Sequence, residues 1–259
     1  MSQPDIKDLF EARSIAIIGA SSQKKKVGYK LMENINAIEY SGKVYPVNPK
    51  GGQVFGHDIY KSLDAVPGDI DVAVITIPAK FVFDTVNACA KKNVKFLVIV
   101  TSGFSEVGNL EEENRIVEFA RQNGMRVLGP NIFGIYSRKV GLNATFGPKD
   151  VKSGNVAIVT QSGALGIAMI GMTASENIGL SSIVSVGNKS DIEEADLLDY
   201  LIDDDKTEII LMYIEGVQGG ERLVKCLKRA TMKKPVVVIK SGRSKRGAMA
   251  AASHTGALA

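Results

Sequence analysis

The segment Ser14-Ile15-Ala16-Ile17-Ile18-Gly19-Ala20-Ser21-Ser22 decides the fold. A strand is predicted over residues 14–19, because this stretch is apolar on both faces, as is typical of a strand buried in a parallel sheet. An amphipathic helix is predicted over residues 27–40, and a second strand over residues 43–47. A strand, a helix and a strand in this order predict an open parallel sheet with helices on both faces.

The same alternation continues along the whole chain. In the first half, further strands are predicted at residues 71–77, 96–100 and 126–128, and helices at 80–92 and 110–123. A break rich in turn-forming residues is predicted at 141–152. Beyond it, strands are predicted at 155–159, 182–186, 208–214 and 235–239, and helices at 164–177, 193–202 and 221–232. We therefore predict an α/β protein with two doubly wound parallel sheets in tandem, divided into domains 1–146 and 147–259.

Composition and charge narrow the class of protein. The chain has 259 residues, 45% hydrophobic and 23% charged, which suits two globular domains of about 130 residues each. The net charge of +4 comes from basic residues scattered through the chain, whereas nucleic-acid binders show a dense basic stripe. We therefore expect no nucleic-acid partner. A small positive net charge is compatible with a ligand that carries several phosphates.

Cysteine usage and the absence of long apolar runs indicate the compartment. Cys89 and Cys226 each lie on a predicted buried helix face and lack metal-ligand spacing, so we expect reduced thiols and no metal site. No apolar run has membrane-spanning length, and Met1-Ser2-Gln3-Pro4-Asp5 is unlike a signal peptide. The expectation is a cytoplasmic protein with no membrane contact.

Small or hydrogen-bonding residues follow almost every predicted strand. In open α/β sheets, ligands bind beyond the carboxyl ends of the strands. In the first half these ends are Gly19-Ala20-Ser21-Ser22, Val47-Asn48-Pro49-Lys50, Pro78-Ala79-Lys80, Thr101-Ser102-Gly103 and Gly129-Pro130-Asn131. In the second half they are Gln161-Ser162-Gly163, Gly187-Asn188-Lys189, Glu215-Gly216 and Lys240-Ser241-Gly242. The need for a turn after a strand is enough to explain any single cluster. Nine such clusters together predict a ligand-binding edge on the sheet of each half.

The first strand and helix indicate a phosphate-bearing ligand other than NAD. A G-x-G-x-x-G fingerprint is absent, and Lys50 stands near the end of the second strand where NAD-binding domains have an acid. A cation there favours an extra ribose phosphate, as in NADP or coenzyme A. Ser21 and Ser22 are expected at a helix start, where free amides bind phosphate oxygens. The lysines at 24–26 either help to bind these phosphates or form a solvated run of charges. Elsewhere, Gly187-Asn188-Lys189-Ser190 departs from a Walker A loop, because Asn stands between the glycine and the lysine.

The chain contains two histidines, and His254 is the candidate for chemistry. It lies in a loop of Gly, Ala and Ser, which offers little for an imidazole to pack against. Taken alone, it is better described as a solvated loop residue, and only the rest of the chain makes it a candidate. His57, in Gly56-His57-Asp58, has no comparable setting and is predicted to be a surface residue.

Nine segments in order along the chain resemble the CoA-binding and ligase-type domains of ADP-forming acyl-CoA synthetases, relatives of the succinyl-CoA synthetase α subunit. They are Ile17-Ile18-Gly19-Ala20-Ser21, Val47-Asn48-Pro49-Lys50, Gly103-Phe104-Ser105-Glu106, Gly129-Pro130-Asn131, Gln161-Ser162-Gly163-Ala164, Gly187-Asn188-Lys189, Tyr213-Ile214-Glu215-Gly216, Lys240-Ser241-Gly242-Arg243 and Ser253-His254-Thr255-Gly256. The resemblance implies a Rossmann-like CoA-binding domain followed by a flavodoxin-like ligase domain, with CoA as substrate. It also implies that His254 is phosphorylated. ATP or ADP and Mg²⁺ are then expected on an ATP-grasp domain, which is either a β subunit or a fused domain. The enzyme is expected to be an oligomer that acts on a small carboxylic acid.

The resemblance also assigns the site residues. CoA is expected at the ends of the first-half strands, on Gly19, Ala20, Ser21, Ser22, Val47, Asn48, Lys50, Pro78, Thr101 and Ser102. Phosphate or acyl phosphate is expected on Gln161, Ser162, Gly163, Ala164, Gly187, Asn188 and Asn131.

The chemistry has an independent physical basis. Thioester formation needs the acid oxygen converted into a leaving group, as in an acyl phosphate, and a neutral imidazole is a good phosphoryl acceptor. Glu215 is the candidate partner for His254, the alternative being a loop carboxylate in a turn with Gly216. The helix start at Ser162 offers amides and a favourable dipole, and an ordinary N-cap there has the same geometry.

The chain departs from the family pattern at three places. Ile132 and Phe133 stand where the family often has Cys and Leu, Thr160 stands where Ser is common, and the sequence stops five residues after His254. We expect an incomplete second domain, either as a shortened chain or as a natural split. The alternative functions are a non-catalytic CoA-sensing module, which an intact His254 and Glu215 disfavour, and an NADP-dependent oxidoreductase.

Overall fold

Five parallel strands, a two-stranded ribbon and four helices form the first half of the computed structural model, which describes residues 3–242. In chain order the elements are α1 (Lys7–Phe10), β1 (Ser14–Ile18), α2 (Val27–Ala37), β2 (Lys43–Val47), β3 (Gln53–Val54), β4 (His57–Asp58), β5 (Val72–Ile75), α3 (Val82–Lys91), β6 (Phe96–Ile99), α4 (Leu110–Gln122) and β7 (Arg126–Leu128). Short 3₁₀ helices span Ala79–Phe81 and Ser105–Val107.

The first sheet has the order β2-β1-β5-β6-β7, with every neighbouring pair parallel. All five residues of β1 are buried, which confirms that this strand lies inside the sheet. The small β3–β4 ribbon is a separate antiparallel pair and was not predicted, because two-residue strands carry no periodicity. His57 lies in this ribbon and is half-buried.

The second half contains a larger, mixed sheet. Its elements are β8 (Gly134–Ser137), β9 (Leu142–Thr145), β10 (Ser153–Thr160), α5 (Gly163–Ser175), β11 (Leu180–Ser185), α6 (Glu194–Leu201), β12 (Ile209–Ile214), α7 (Gly220–Thr231) and β13 (Val236–Lys240), with a 3₁₀ turn at Arg138–Val140. The strand order is β13-β12-β10-β11-β8-β9. Strands β10 to β13 pair in parallel, whereas β8 runs antiparallel to β11 and to β9.

The β8–β9 hairpin corrects the sequence prediction in one region. Residues 141–152 were predicted to be a break between domains, but Leu142–Thr145 is a buried strand. Strand pairing places the hairpin in the second sheet, although the predicted first domain runs to residue 146. The strand was missed because the turn signals around it, Gly141 before it and Gly147-Pro148 after it, dominate the sequence. The domain boundary at residue 146 stays a prediction, and the pairing of β8 with β11 favours a boundary earlier in the chain.

The two sheets pack against each other around a shared core. One cluster of buried residues includes Ile17 and Val98 from the first sheet and Val159 and Val184 from the second. The segment after β11 runs beside the end of β7, with hydrogen bonds from Ser190 N to Gly129 O (3.1 Å) and from Ile192 N to Val127 O (3.0 Å). Rings of Phe10 and Tyr200 stack across the same boundary at 4.2 Å. Apolar packing, backbone hydrogen bonds and ring stacking therefore all join the two halves.

Both cysteines occupy buried helix positions, as predicted. Cys89 lies on α3 and Cys226 on α7, and neither forms a disulfide. Burial raises the pKa of the Cys89 thiol to about 12, so that this sulfur is inert at neutral pH. Within residues 3–242, no helix is both long and apolar enough to span a bilayer.

Candidate active site

A cleft of about 820 Å³ opens between the carboxyl ends of the two sheets. Nine residues predicted for ligand binding line it, namely Pro78, Thr101 and Ser102 from the first sheet and Asn131, Gln161, Gly163, Ala164, Gly187 and Asn188 from the region of the second. Apolar side chains, including those of Ile77, Ile132, Phe146 and Ile167, complete the lining. The cleft thus presents polar groups at the strand ends beside an apolar wall, an arrangement typical of small-molecule sites.

A second depression, of about 640 Å³, lies at the opposite end of the first sheet. It is lined by interspersed charges of both signs, among them Lys7, Glu11, Arg13 and Asp71. No residue of the predicted site lies there. We therefore place the candidate site in the cleft between the sheets, where ligands of open α/β sheets bind.

Gly19 shapes the loop after β1. Its φ is +98°, and a Cβ at this position would lie 2.5 Å from Thr76 Oγ1. A Cβ on Gly28 would lie 2.0 Å from Gly19 O, so α2 approaches the loop closely. Asn48 Nδ2 donates to Ala20 O at 2.9 Å, and Gly19 N donates to Val47 O at 2.9 Å. These contacts bring Val47 and Asn48 against the loop, although neither lines the cleft.

The predicted position of Ser21 and Ser22 at a helix start is wrong. Helix α2 begins at Val27 with Lys26 as N-cap, and Ser21 Oγ instead accepts a hydrogen bond from Gln23 N at 3.0 Å. The lysine run at 24–26 lengthens the loop, so the helix starts later than a short phosphate-binding turn would allow. Lys26 and Val27 line the cleft in place of the two serines. Lys50 is exposed in the neighbouring loop.

The start of α5 has the geometry that the sequence predicted. Ser162 is the N-cap, and its Oγ accepts a hydrogen bond from Leu165 N at 3.3 Å. Gly163 and Ala164 line the cleft at the first helical positions, where amides have no acceptor within the helix. Thr160 Oγ1 bonds both the N–H (3.2 Å) and the C=O (2.9 Å) of Ser162, so this threonine supplies the hydroxyl of the usual serine. Helix starts with free amides of this kind are suited to binding an anion.

Glu215 lies directly behind the cleft wall. It follows β12 and is 4% exposed. The N–H groups of Glu215 and Gly216 both donate to Gln161 Oε1, at 2.8 and 3.0 Å. Gln161 therefore serves two purposes, because it lines the cleft and holds the Glu215 backbone. His254 lies outside the described residues, so its pairing with Glu215 stays a prediction.

Asn188 joins the two halves at the edge of the cleft. Its Nδ2 donates to Glu106 Oε2 at 2.6 Å and to Glu113 Oε2 at 2.9 Å, and its Oδ1 accepts from Asn131 Nδ2 at 3.4 Å. The backbone N–H of Asn188 donates to Pro130 O at 3.0 Å. Since these donors are already engaged, the structure favours a connecting role for Asn188 over direct binding of phosphate.

Sequence reasoning missed Glu106 and Glu113 as part of this site. Burial disfavours the charged form of Glu106, but hydrogen bonds from Gly103 N–H and from Asn188 outweigh it and lower its pKa. Glu113 is buried and also accepts from Ser105 N at 3.0 Å. Of the two, only Glu106 could have been found from the sequence, because it lies in a segment that resembles the family. Glu113 looks like an ordinary acidic residue in the first turn of a helix.

Comparisons with known proteins match both halves. Residues 13–138 match the family model of a CoA binding domain, and residues 153–259 match that of a succinyl-CoA ligase like flavodoxin domain. The α subunit of acetate–CoA ligase [ADP-forming] I from Pyrococcus furiosus is 51% identical over 98% of this chain and 56% of its own. An acetate–CoA ligase [ADP-forming] from Methanocaldococcus jannaschii is 46% identical over 98% of this chain and 36% of its own.

A solved structure shows the same fold. The dinucleotide-forming acetyl-coenzyme A synthetase 1 of Ca. Korarchaeum cryptofilum, in complex with phosphate and ADP, has a TM-score of 0.95 and 49% identity. That match covers 98% of this chain and 55% of the solved chain. The chain thus spans between about a third and just over half of the length of these relatives. The predicted fold class, a Rossmann-like domain followed by a flavodoxin-like domain, is confirmed.

Proposed function

The chain carries the α-type CoA-binding and ligase domains of the ADP-forming acyl-CoA synthetases, and we propose that it is the thioester-handling part of an acid–CoA ligase. The reaction interconverts acyl-CoA, ADP and phosphate with a carboxylic acid, CoA and ATP. The observation that carries the proposal is the cleft, in which Thr101 and Ser102 of the CoA-binding half face Gly163 and Ala164 at the start of α5. Both substrates of thioester cleavage, CoA ester and phosphate, then have a place in one cavity.

The first step joins phosphate to the acyl group. A phosphate oxygen attacks the thioester carbonyl, the C–S bond breaks, and the CoA thiolate leaves with an acyl phosphate as the other product. The amides at the start of α5 and the helix dipole stabilise the negative charge on phosphate. Phe146 and Ile167 place apolar side chains in the lining of the same cleft.

The second step transfers the phosphoryl group to the protein. One imidazole nitrogen of His254 attacks phosphorus, the P–O bond to the acyl oxygen breaks, and the carboxylate leaves. The carboxylate of Glu215 accepts a hydrogen bond from the other nitrogen and stabilises the imidazolium. Phosphohistidine then passes the group to ADP on a separate ATP-grasp domain or subunit, which supplies the Mg²⁺ site.

The wider assignments rest on the same family. We propose a small carboxylic acid as substrate, an ATP-grasp partner, an oligomeric enzyme and a cytoplasmic location, the last supported by the free thiols of Cys89 and Cys226. The matched relatives are ligases, which supports this reading over an NADP-dependent oxidoreductase or a non-catalytic CoA sensor.

Calorimetry with three nucleotides tests the CoA assignment. We expect CoA to bind, and dephospho-CoA to bind more weakly because it lacks the ribose phosphate that Lys50 faces in this proposal. Lys50→Gln should reduce the difference between the two ligands, whereas Lys91→Gln, an exposed change at the end of α3, should leave it intact. Binding of NADPH without binding of CoA would refute the assignment.

A further inference from the structure

Three side chains hold the backbone of Glu215 and Gly216. Gln161 Oε1 accepts from both N–H groups, at 2.8 and 3.0 Å. Lys240 Nζ donates to Glu215 O at 2.6 Å, and Lys189 Nζ donates to Gly216 O at 2.5 Å. Both amides and both carbonyls of this dipeptide therefore have side-chain partners.

The three side chains come from three different strand ends. Gln161 directly follows β10, Lys240 is the last residue of β13, and these two strands flank β12, which leads into Glu215. Lys189 comes from the loop after β11. A dipeptide fixed from three directions keeps a defined position even where the sheet hydrogen bonds end.

Burial of the Lys189 ammonium group is unfavourable in free energy, although it provides a hydrogen bond to the carbonyl of Gly216. Its side chain is 2% exposed and forms an ion pair with Glu194 at 3.1 Å. Removing both charges from water costs free energy that the pair recovers only in part, so a well-packed apolar pair is often at least as stable. The buried lysine is thus better explained by its contact with Gly216 than by its contribution to stability.

Lys240 connects Glu215 to the segment that follows the sheet. Besides Glu215 O, its Nζ donates to Ser241 O at 2.6 Å, and Ser241 N donates to Ile214 O at 2.9 Å. The chain continues from this point to His254. One ammonium group therefore links the backbone of Glu215 to the peptide from which the histidine segment departs.

We propose that Lys240 and Lys189 are positioning residues, which fix the Glu215 backbone so that its carboxylate meets the imidazole of His254 during phosphoryl transfer. The inference rests on the proposed function. Neither lysine touches substrate in this scheme; each acts through Glu215. Misplacement of a catalytic group by about 1 Å can cost ~10²-fold in rate, which sets the expected size of the effect.

The test measures phosphorylation of His254 in the full chain supplied with an ATP-grasp partner and radiolabelled ATP. Lys240→Met, which keeps the length of the side chain but removes the donor, should slow labelling by ~10²-fold. Lys240→Arg should restore part of the rate, and Lys225→Met, an exposed change on α7, should have no effect. CoA affinity, measured by calorimetry, should stay at the wild-type value in all three.

A double-mutant cycle with Glu215→Gln separates positioning from a general structural role. If Lys240 acts through Glu215, then Lys240→Met should add little to the defect of Glu215→Gln. An equal slowing in both backgrounds, or wild-type labelling of Lys240→Met, overturns the inference. If Lys240→Met loses CoA affinity, Lys240→Gln carries the same comparison. Failure of the wild-type chain to label would instead count against the proposed function.

Discussion

At the scale of single residues, Gly187 has little room for a side chain in the cleft. Its φ is +54°, and a Cβ there would lie 2.2 Å from Pro130 O and 2.6 Å from Ile132 Cγ2. Any side chain must displace the backbone that holds Asn131 and Asn188. The glycine is therefore required by packing as well as by its dihedral angle.

We expect Gly187→Ala to lower the free energy of unfolding by roughly 1–3 kcal/mol, the cost of a strained backbone residue. Gly171→Ala is the matched control, because nothing lies within 4 Å of a Cβ there and the residue is inside α5. That change should stabilise the chain by about 0.5–1 kcal/mol. Urea denaturation measures both, and a Gly187→Ala chain as stable as wild type would contradict the account.

Residue-level prediction from sequence was good where one side chain decides the geometry. Ser162 was expected at a helix start and is an N-cap, because a hydroxyl before an apolar helix is a local signal. The placement of Ser21 and Ser22 at a helix start was wrong although α2 begins at Val27, as predicted, because the lysine loop separates the two serines from that helix. The contact between Asn188 and the two glutamates could not be predicted, since those residues are about 80 positions apart and meet only through tertiary packing.

At the scale of elements, the loop that contains the 3₁₀ turn Ser105–Val107 links the CoA-binding half to the cleft. Glu106 Oε1 accepts from Gly103 N at 2.5 Å, while Oε2 reaches Asn188. Burial raises the pKa of Glu106, but these hydrogen bonds to the carboxylate more than compensate and leave it below the ordinary value of 4.5. The ionised form is therefore part of the folded loop.

The pH dependence of stability follows from this lowered pKa. A group whose pKa is lower in the folded state adds stability above its unfolded pKa, and that stability is lost as the pH falls through the folded pKa. Glu106→Gln should therefore be less stable than wild type at pH 7, and the difference should shrink below about pH 4.5. Urea midpoints between pH 3 and 7 provide the measurement. A difference that grows toward low pH would show that the sign is wrong.

Most elements were predictable because a parallel sheet imposes a strong pattern. Strands β1, β5 and β6 are buried along their whole length, and the helices between them have one apolar face. The β8–β9 hairpin was missed because turn-forming residues surround its strands and hide them in the sequence. Tertiary packing determines that the hairpin joins the second sheet, where β8 pairs with β11.

At the scale of the whole molecule, Asp191 fastens the two halves together. This carboxylate of the second half is 2% exposed, and it accepts from Arg121 (2.7 Å), from Arg126 Nε (2.9 Å) and from Val127 N (2.7 Å). All three donors belong to α4 or β7 in the first half. The relative position of the sheets, and so the shape of the cleft, depends on this contact.

Asp191→Ala should lower the free energy of unfolding by about 3 kcal/mol, because it leaves Arg126 and a buried N–H without their acceptor. The control is Asp203→Ala, which removes an exposed ion pair to Lys233 and should leave the stability close to that of wild type. Chemical denaturation of the two variants gives the comparison. Equal and small losses in both would show that the contact does not hold the halves together.

The central claim is that the chain passes a phosphoryl group through His254, and phosphate labelling tests it most directly. The full chain, supplied with an ATP-grasp partner and radiolabelled ATP, should acquire a label that is labile in acid and stable in base, as a phosphohistidine is. His254→Ala should abolish the label while CoA affinity stays close to that of wild type, because the match to a CoA binding domain lies in the first half. Label retained by His254→Ala would contradict the account.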